Sequence, residues 1–369
     1  MTTATPSSKD VVLSVRNLKK HFPIRKGLLS KVVGHVKAVD GVSFDLARGE
    51  TLGVVGESGC GKTTAGRLIL KLVEPTAGEV HMGNSPNLAT LPNRQWLPYR
   101  RKIQMIFQDP FSSLNPRMQV GAIIAEALQI HKLTARGEPR QRRVKELLEQ
   151  VGLTGEAAKK FPHEFSGGQR QRIGIARALA VQPDIIIADE PVSALDVSIQ
   201  AQVINLLEDL QAQMGLSFLL ISHDLSVVGH LCHRVVVMYL GKIVEQGPSR
   251  EILQRPRHPY SQALLSAVPV IEKEQRRKRI VLEGDVPSPV NPPSGCHFHP
   301  RCRYKFRPCD QEYPALRDLG NGSSVACHLF DPKFKAERPP LSGSLEKLSN
   351  SANEMLLGTG DDAGVAPQA

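Results

Sequence analysis

No apolar run in this 369-residue chain approaches the roughly 18–20 residues that a helix needs to cross a bilayer, so no membrane span is expected. The start, "MTTATPSSKD", has neither the basic patch nor the apolar stretch of a secretory leader, and the chain is expected to stay unprocessed in the cytoplasm. No heptad repeat runs through it. Cysteines number only six. Three of them fall in "GCHFHPRCRYKFRPCDQEYP" (295–314) and a fourth, Cys327, follows. A cytoplasm that keeps thiols reduced excludes the disulfide-stapled class for these four. Their separations of five, six and seventeen residues also lack the tight knuckles of structural zinc sites, although His297, His299 and His328 stand close enough in sequence to substitute.

What the chain does have is an alternation. Three short, nearly unbroken apolar runs, "TLGVVG" (51–56), "DIIIAD" (184–189) and "SFLLIS" (217–222), read as strands covered on both faces. Residues 11–22 and 35–46 read as further strands, and 235–247 as a hairpin turning at Leu240-Gly241. Apolar residues recur at helical spacing in 63–73 and in 198–214. An α/β chain with a largely parallel sheet is expected. Residues 110–165 interrupt the alternation, with "RRVKELLEQVGL" (142–153) carrying one apolar stripe, and read as an inserted helical subdomain. After the basic run "EKEQRRKRI" (272–280), the Pro-rich "VPSPVNPPSG" (286–295) reads as linker, which puts a domain boundary near 270. Residues 1–9 and 333–369 are small, polar and charged, and are expected to be disordered. The formal charge of +11 suits an anionic partner without choosing one. The basic residues 276–279 are read as a solvated linker face, and nucleic acid is not expected as a partner.

The chemistry lies in four stretches. "GESGCGKTT" (56–64), between a strand and an amphipathic helix, fits the phosphate-loop pattern. Gly56, Ser58, Gly59, Cys60, Gly61, Lys62, Thr63 and Thr64 would curl N–H groups around phosphate oxygens, Lys62 would reach the terminal phosphates, and the Thr63 hydroxyl would ligate Mg²⁺. Cys60 reads as a small residue facing away from ligand, with a thiol-sensitive loop as the alternative. "IIIADEP" (185–191) and "LLISHD" (219–224) set Asp189, Glu190 and His223 at strand ends, where ligands sit in open α/β sheets. Asp189 would hold Mg²⁺, Glu190 would polarise the attacking water, and His223 would keep water and γ-phosphate in line. In "FSGGQRQRIGIARALA" (165–180), Ser166 can cap a helix whose Gly167 and Gly168 expose N–H groups to a phosphate. A second anion-binding helix start on one chain suggests that two copies face each other.

Here the chain resembles the ATP-binding subunits of ABC transporters, whose signature motif is the "SGGQ" at 166–169. The resemblance covers about residues 11–270. It implies a RecA-like P-loop NTPase core with antiparallel β and inserted helical subdomains (10–270, helical at 110–165), followed by a small Cys-containing extension (271–332). It also assigns Gln108 of "IFQDP" to the Q-loop and to Mg²⁺, Gln169 to the signature, Ser193–Asp196 of "SALD" to the D-loop, His223 to the H-loop, and Phe22 to adenine stacking. The segment "RPRHPYSQALLSAVP" (255–269) and the cysteine extension look like those of dipeptide and oligopeptide importers, closest to the second of their paired ATPases. Implied partners are a paired ATPase, two membrane permease subunits and, indirectly, a substrate-binding protein, at the cytoplasmic face of the membrane. Related importers carry nickel or glutathione. A soluble ABC ATPase of translation or repair is the competing class, although one cassette and no coiled coil argue against it.

For Cys296, Cys302, Cys309 and Cys327, thiolates gathered by a module too short for its own core suit an iron–sulfur cluster, as occurs in peptide-importer ATPases. Zinc and free thiols stay open. A cluster is expected to staple residues 296–327 and to take no part in ATP hydrolysis, since nothing in the sequence sets it near the phosphate loop.

Overall fold

The computed structural model describes residues 11–27, 30–267 and 279–340. The expected loose start at 1–9, the segment around the boundary near 270 and most of the expected tail lie outside them. Two long strands, β1 (Val11–Lys26) and β2 (Lys31–Ala47), precede β3 (Thr51–Val55), α1 (Lys62–Ile69) and β4 (Ala77–His81). Next come α2 (Asn93–Lys102), β5 (Ile103–Ile106), α3 (Pro110–Ser113), α4 (Val120–Ile130) and α5 (Glu138–Gln150). They are followed by α6 (Gly167–Leu179), β6 (Ile185–Asp189), α7 (Val197–Met214), β7 (Ser217–Ile221) and α8 (Leu225–Leu231). The last are β8 (Arg234–Tyr239), β9 (Lys242–Pro248), α9 (Ser249–Gln254), α10 (Pro259–Ser266), β10 (Arg317–Asp318) and β11 (Ser324–Val325).

The chain packs as two units. Among the described residues, the first comprises 11–18, Ser43–Val54 and Thr63–His233; the second comprises 19–27, 30–42, Val55–Lys62, 234–267 and 279–340. In the first, β3, β7, β6 and β5 run parallel in that order, with Leu52 and Ile187 both opposite Leu219 and Met105 opposite Ile187. Every residue of β3, β6 and β7 is buried, which is why these strands read as unbroken apolar runs rather than alternating ones. Between β5 and β6 the chain is helical, and α4 packs on α5 through Ile123, Ile124, Leu128, Val144, Leu147 and Leu148.

Helix α1 stops at Ile69 rather than at 73. Lys71 turns left-handed (φ 51°), its N–H bonds Leu68 O at 2.9 Å and the Leu72 N–H bonds Arg67 O at 2.9 Å, a Schellman closure. Leu72, the next position of the apolar pattern, is left exposed.

In the second unit β8 and β9 form the expected hairpin around Leu240-Gly241. Here β11 pairs antiparallel with β9 (Val325 opposite Glu245), and β10 pairs with β11. The extension is not too short for a core: Tyr304, Leu319, Val325, Cys327, Leu329 and Phe330 form a buried apolar cluster, with Cys302 and Phe306 packed on it. Ordered structure also runs past the expected edge at 332. Pro332–Glu337 is a short helix whose Phe334 is buried against His328 and Phe306. Among the described residues no helix is long and apolar enough to cross a membrane.

Candidate functional site

The loop Gly56–Lys62 belongs to the second unit and depends on glycine at two places. A Cβ on Gly56 (φ 153°) would stand 2.3 Å from Met238 O, and one on Gly61 (φ 106°) would stand 2.1 Å from Ala38 O. The loop is therefore pressed against backbone that cannot yield. The Gly241 N–H holds Cys60 O at 2.9 Å, while Ser58 and Gly59 are exposed. Lys62 is buried and its ammonium donates to Gly56 O (2.8 Å) and Glu57 O (3.0 Å), so the loop's own carbonyls hold the cation. Burial pushes the Cys60 thiol up, against the pull of Lys62, and keeps it protonated; the thiol-sensitive alternative gains nothing from this. Phe22 on β1 is an exposed ring with the Lys20 ammonium 4.9 Å from its centre.

In the first unit, parallel register brings distant residues to one end of the strands. Thr63, beginning this unit's part of α1, donates through Oγ1 to Asp189 Oδ1 at 2.9 Å, and Asp189 is buried at the end of β6. The next residue, Glu190, has φ 46°, a strained left-handed turn fixed by its N–H bond to Ile221 O at 2.8 Å. That turn sets its carboxylate between Gln108 Nε2 (2.6 Å) and His223 Nδ1 (3.1 Å). A carboxylate so held, with an amide and an imidazole on either side and a hydroxyl–carboxylate pair one residue away, can accept a proton from water beside a bound cation. The Ser193 hydroxyl donates to Glu190 O at 3.1 Å, Asp196 is the N-cap residue of α7, and Thr64 is half-buried on α1. Ser166 and Gln169 close a reciprocal capping box at the start of α6: Ser166 Oγ accepts from the Gln169 N–H, and Gln169 Oε1 accepts from the Ser166 N–H. Both are exposed, Gly167 is half-buried, and Gly168 is buried where a Cβ would stand 2.4 Å from the Ile199 side chain.

A family model for the ABC transporter matches residues 39–193, and one for the oligopeptide/dipeptide transporter C-terminal region matches 244–309. The chain is 53% identical over 329 residues to the oligopeptide transport ATP-binding protein AppF of Bacillus subtilis, covering 88% of this chain and 99% of AppF. It is 51% identical over 338 residues to the dipeptide transport ATP-binding protein DppF of Escherichia coli, covering 92% and 100%. The chain belongs to the ABC transporter ATP-binding proteins, in the oligopeptide/dipeptide branch. A solved ATP-binding cassette, a dimer in a post-hydrolysis state with ADP and Pi, matches with TM-score 0.57 and 28% identity over 64% of this chain and 99% of its own.

In this ABC ATP-binding protein the "RHPY" segment, singled out in the sequence without a role, has a physical one. Glu245 on β9, wholly buried, accepts the N–H groups of Arg257 (2.7 Å) and His258 (3.0 Å). His258 caps α10 by accepting the Tyr260 N–H at 3.0 Å, and the Tyr260 hydroxyl accepts the Glu57 N–H at 2.7 Å. The rings of Tyr260 and Tyr239 flank Phe298, which lies between Cys296 and Cys302, at 5.5 and 5.3 Å. Arg301 pairs with the Glu57 carboxylate at 3.0 and 3.4 Å. The expectation that nothing sets the cysteine extension near the phosphate loop is thereby corrected. Glu57, Glu245, Tyr260 and Arg301 went unassigned in the sequence because none matches a chemical motif. The one available signal was a charged residue inside the phosphate loop, with arginines among the cysteines.

The four extension cysteines are free thiols, each raised by burial, with Cys302 pushed up to about 11 and Cys296 to about 12. Cys327 is within electrostatic reach of the other three. Among the described residues no group of three or more His, Cys, Asp or Glu stands in a metal-holding arrangement.

Proposed function

We propose that this chain is the ATP-hydrolysing subunit that powers import of di- or oligopeptides through a membrane permease. The observation that carries the reading is the Gln108–Glu190–His223 contact beside the Thr63–Asp189 pair, on a chain half identical to two peptide-transport ATP-binding proteins. ATP would rest on the loop 56–62 with adenine against Phe22 and phosphates met by Lys62. Mg²⁺ would be held by Thr63, Gln108 and Asp189. Glu190 would take the proton of the attacking water while His223 keeps it in line. The exposed capping box at Ser166 and Gln169, with Gly167, Gly168 and the D-loop Asp196, would close over the ATP of a paired ATPase, and that partner's signature over this one. The paired ATPase would be a different chain, with this one the second of the two. Closure would be passed to the permease through the helical stretch after Gln108, where Phe111 is exposed and backed by the Arg170 guanidinium 3.9 Å from its ring. The protein would then sit on the cytoplasmic face of the membrane. The test is ATPase assay of the chain alone and with its permease and peptide-loaded binding protein. Stimulation only by peptide-loaded binding protein is expected, and a nickel- or glutathione-stimulated complex would replace the substrate.

The same reading takes Cys296, Cys302, Cys309 and Cys327 as holders of a four-iron cluster, with zinc the alternative. Two buried and two half-buried thiols, three of them raised first by burial and further by a neighbouring cysteine, are a donor set of the proper chemistry, since a bound cation relieves that charge. Anaerobically purified protein is expected to be brown, absorbing near ~400 nm with about four irons, and to lose both in a Cys302→Ser/Cys309→Ser variant. Colourless protein with one zinc or no metal overturns the cluster and leaves the ATPase reading intact.

A further inference from the structure

Residue Glu57 is the first variable position of the phosphate loop, and it is gripped at three points. Its N–H is taken by the Tyr260 hydroxyl at 2.7 Å, its carbonyl by the Lys62 ammonium at 3.0 Å and its carboxylate by the Arg301 guanidinium at 3.0 and 3.4 Å. Arg301 is itself fixed: only 9% of its side chain is exposed, and Nη1 also reaches the Tyr239 hydroxyl at 3.4 Å. The rings of Tyr239 and Tyr260 lie 4.7 Å apart at a tilt, and Phe298 meets the first edge-on and the second at a tilt. None of these groups matches a nucleotide-binding motif. Tyr260 and Arg301 meet on Glu57, the acidic residue of the loop.

We propose that Arg301 of the C-terminal extension and Tyr260 of α10, whose ring packs on the extension's Phe298, are positioning residues for the phosphate loop that set the affinity of the chain for ATP. The loop has glycine at positions 56, 59 and 61, all at positive φ, and without an outside anchor such a backbone samples many conformations that must be given up when phosphate binds. Tying Glu57 from three sides removes part of that freedom in advance. A charge-assisted, two-pronged contact between a buried arginine and a half-buried carboxylate is the strong member of the set, and the tyrosine hydroxyl fixes the backbone at the same residue. The inference rests on the proposed ATP site and adds to it: the extension acts on the loop from behind and touches no phosphate.

Binding of a fluorescent ATP analogue to the full chain, with thermal unfolding of each variant as the control for folding, tests this directly. Arg301→Met is expected to raise Kd about five- to twenty-fold, a part of what one charge-assisted bond is worth because the contact acts on the ligand only through the loop, and Arg301→Lys to recover part of it. Glu57→Gln is expected to weaken binding in the same range, and the Arg301→Met/Glu57→Gln double variant no further than the worse single one, because both remove one contact. If Arg301→Met does not fold, Glu57→Gln, of equal size, carries the test alone. Wild-type protein that binds ATP, with variants that bind it equally well or with additive losses in the double variant, overturns the positioning role. Wild-type protein that binds no ATP overturns the nucleotide site itself.

Discussion

Glu190 sits in a backbone conformation that costs energy for a side chain of its size, and the strain sets its carboxylate between Gln108 and His223. Glu190→Gln keeps shape and hydrogen bonding but removes the base. ATP binding should persist while turnover slows by about two or more orders of magnitude, read by single-turnover assay and analogue binding. Unchanged turnover would take Glu190 out of the chemistry. Lys62 answers a different question. Its ammonium now lies on Gly56 O and Glu57 O, ready to exchange carbonyls for phosphate oxygens, so Lys62→Ala should lose ATP binding itself. Phe22 is an exposed ring whose removal disturbs no core. Phe22→Ala should weaken nucleotide binding by about 1–3 kcal/mol, as loss of base stacking does elsewhere, with little change in melting temperature. That Asp189, Glu190 and His223 gather at one end of the strands was legible only jointly, with a phosphate loop on the same chain, since each alone reads equally well as a strand-end polar residue. The Gln108 contact, across 82 residues, was not legible from spacing, because it exists only through the parallel register of β5 on β6.

At the scale of elements, strand positions were readable from period and burial, and the helical stretch between β5 and β6 from the failure of that alternation. Helix α1 ends where a left-handed lysine closes it, a backbone event that an apolar pattern does not record. The extension was misjudged for a related reason. Its strands are two residues long, and its apolar cluster is gathered by turns and by pairing with β9, which leaves no periodicity to find. Its anchor, α10, carries a pH dependence. His258 is buried, accepts the Tyr260 N–H through Nδ1, and burial holds it down at about 3, so the native state keeps it neutral. Below about pH 6.5 the unfolded chain takes up a proton that the folded chain refuses, and stability falls by about 1.4 kcal/mol per pH unit until the native value is reached. Buried Glu245 is pushed up and works in the opposite sense, gaining stability as pH falls. The difference between wild type and His258→Asn, which keeps the capping acceptor but cannot titrate, isolates the histidine. Urea midpoints between pH 7 and 5 should fall more steeply in wild type than in the variant; parallel curves would show that His258 is solvated.

For the whole molecule the claim is that chemistry and transport are one cycle. On the proposed reading, half of each ATP site would come from the signature helix of another chain, and the capping box at Ser166, which is exposed, would supply it. A lone chain should therefore hydrolyse ATP slowly, and the permease with a loaded binding protein should speed it by stabilising the closed pair. The expectation of pairing came from the sequence, as a second phosphate-binding helix start on a chain that already had one. The partner's identity did not, because its residues are elsewhere. The deciding measurement is ATP turnover by this chain in lipid nanodiscs with its permease, partner ATPase and binding protein, with and without peptide, against the chain alone. Slow turnover alone, acceleration by peptide-loaded binding protein, and loss of that acceleration with Glu190→Gln are expected; turnover by the lone chain as fast as that of the peptide-stimulated complex would contradict the coupling of hydrolysis to transport.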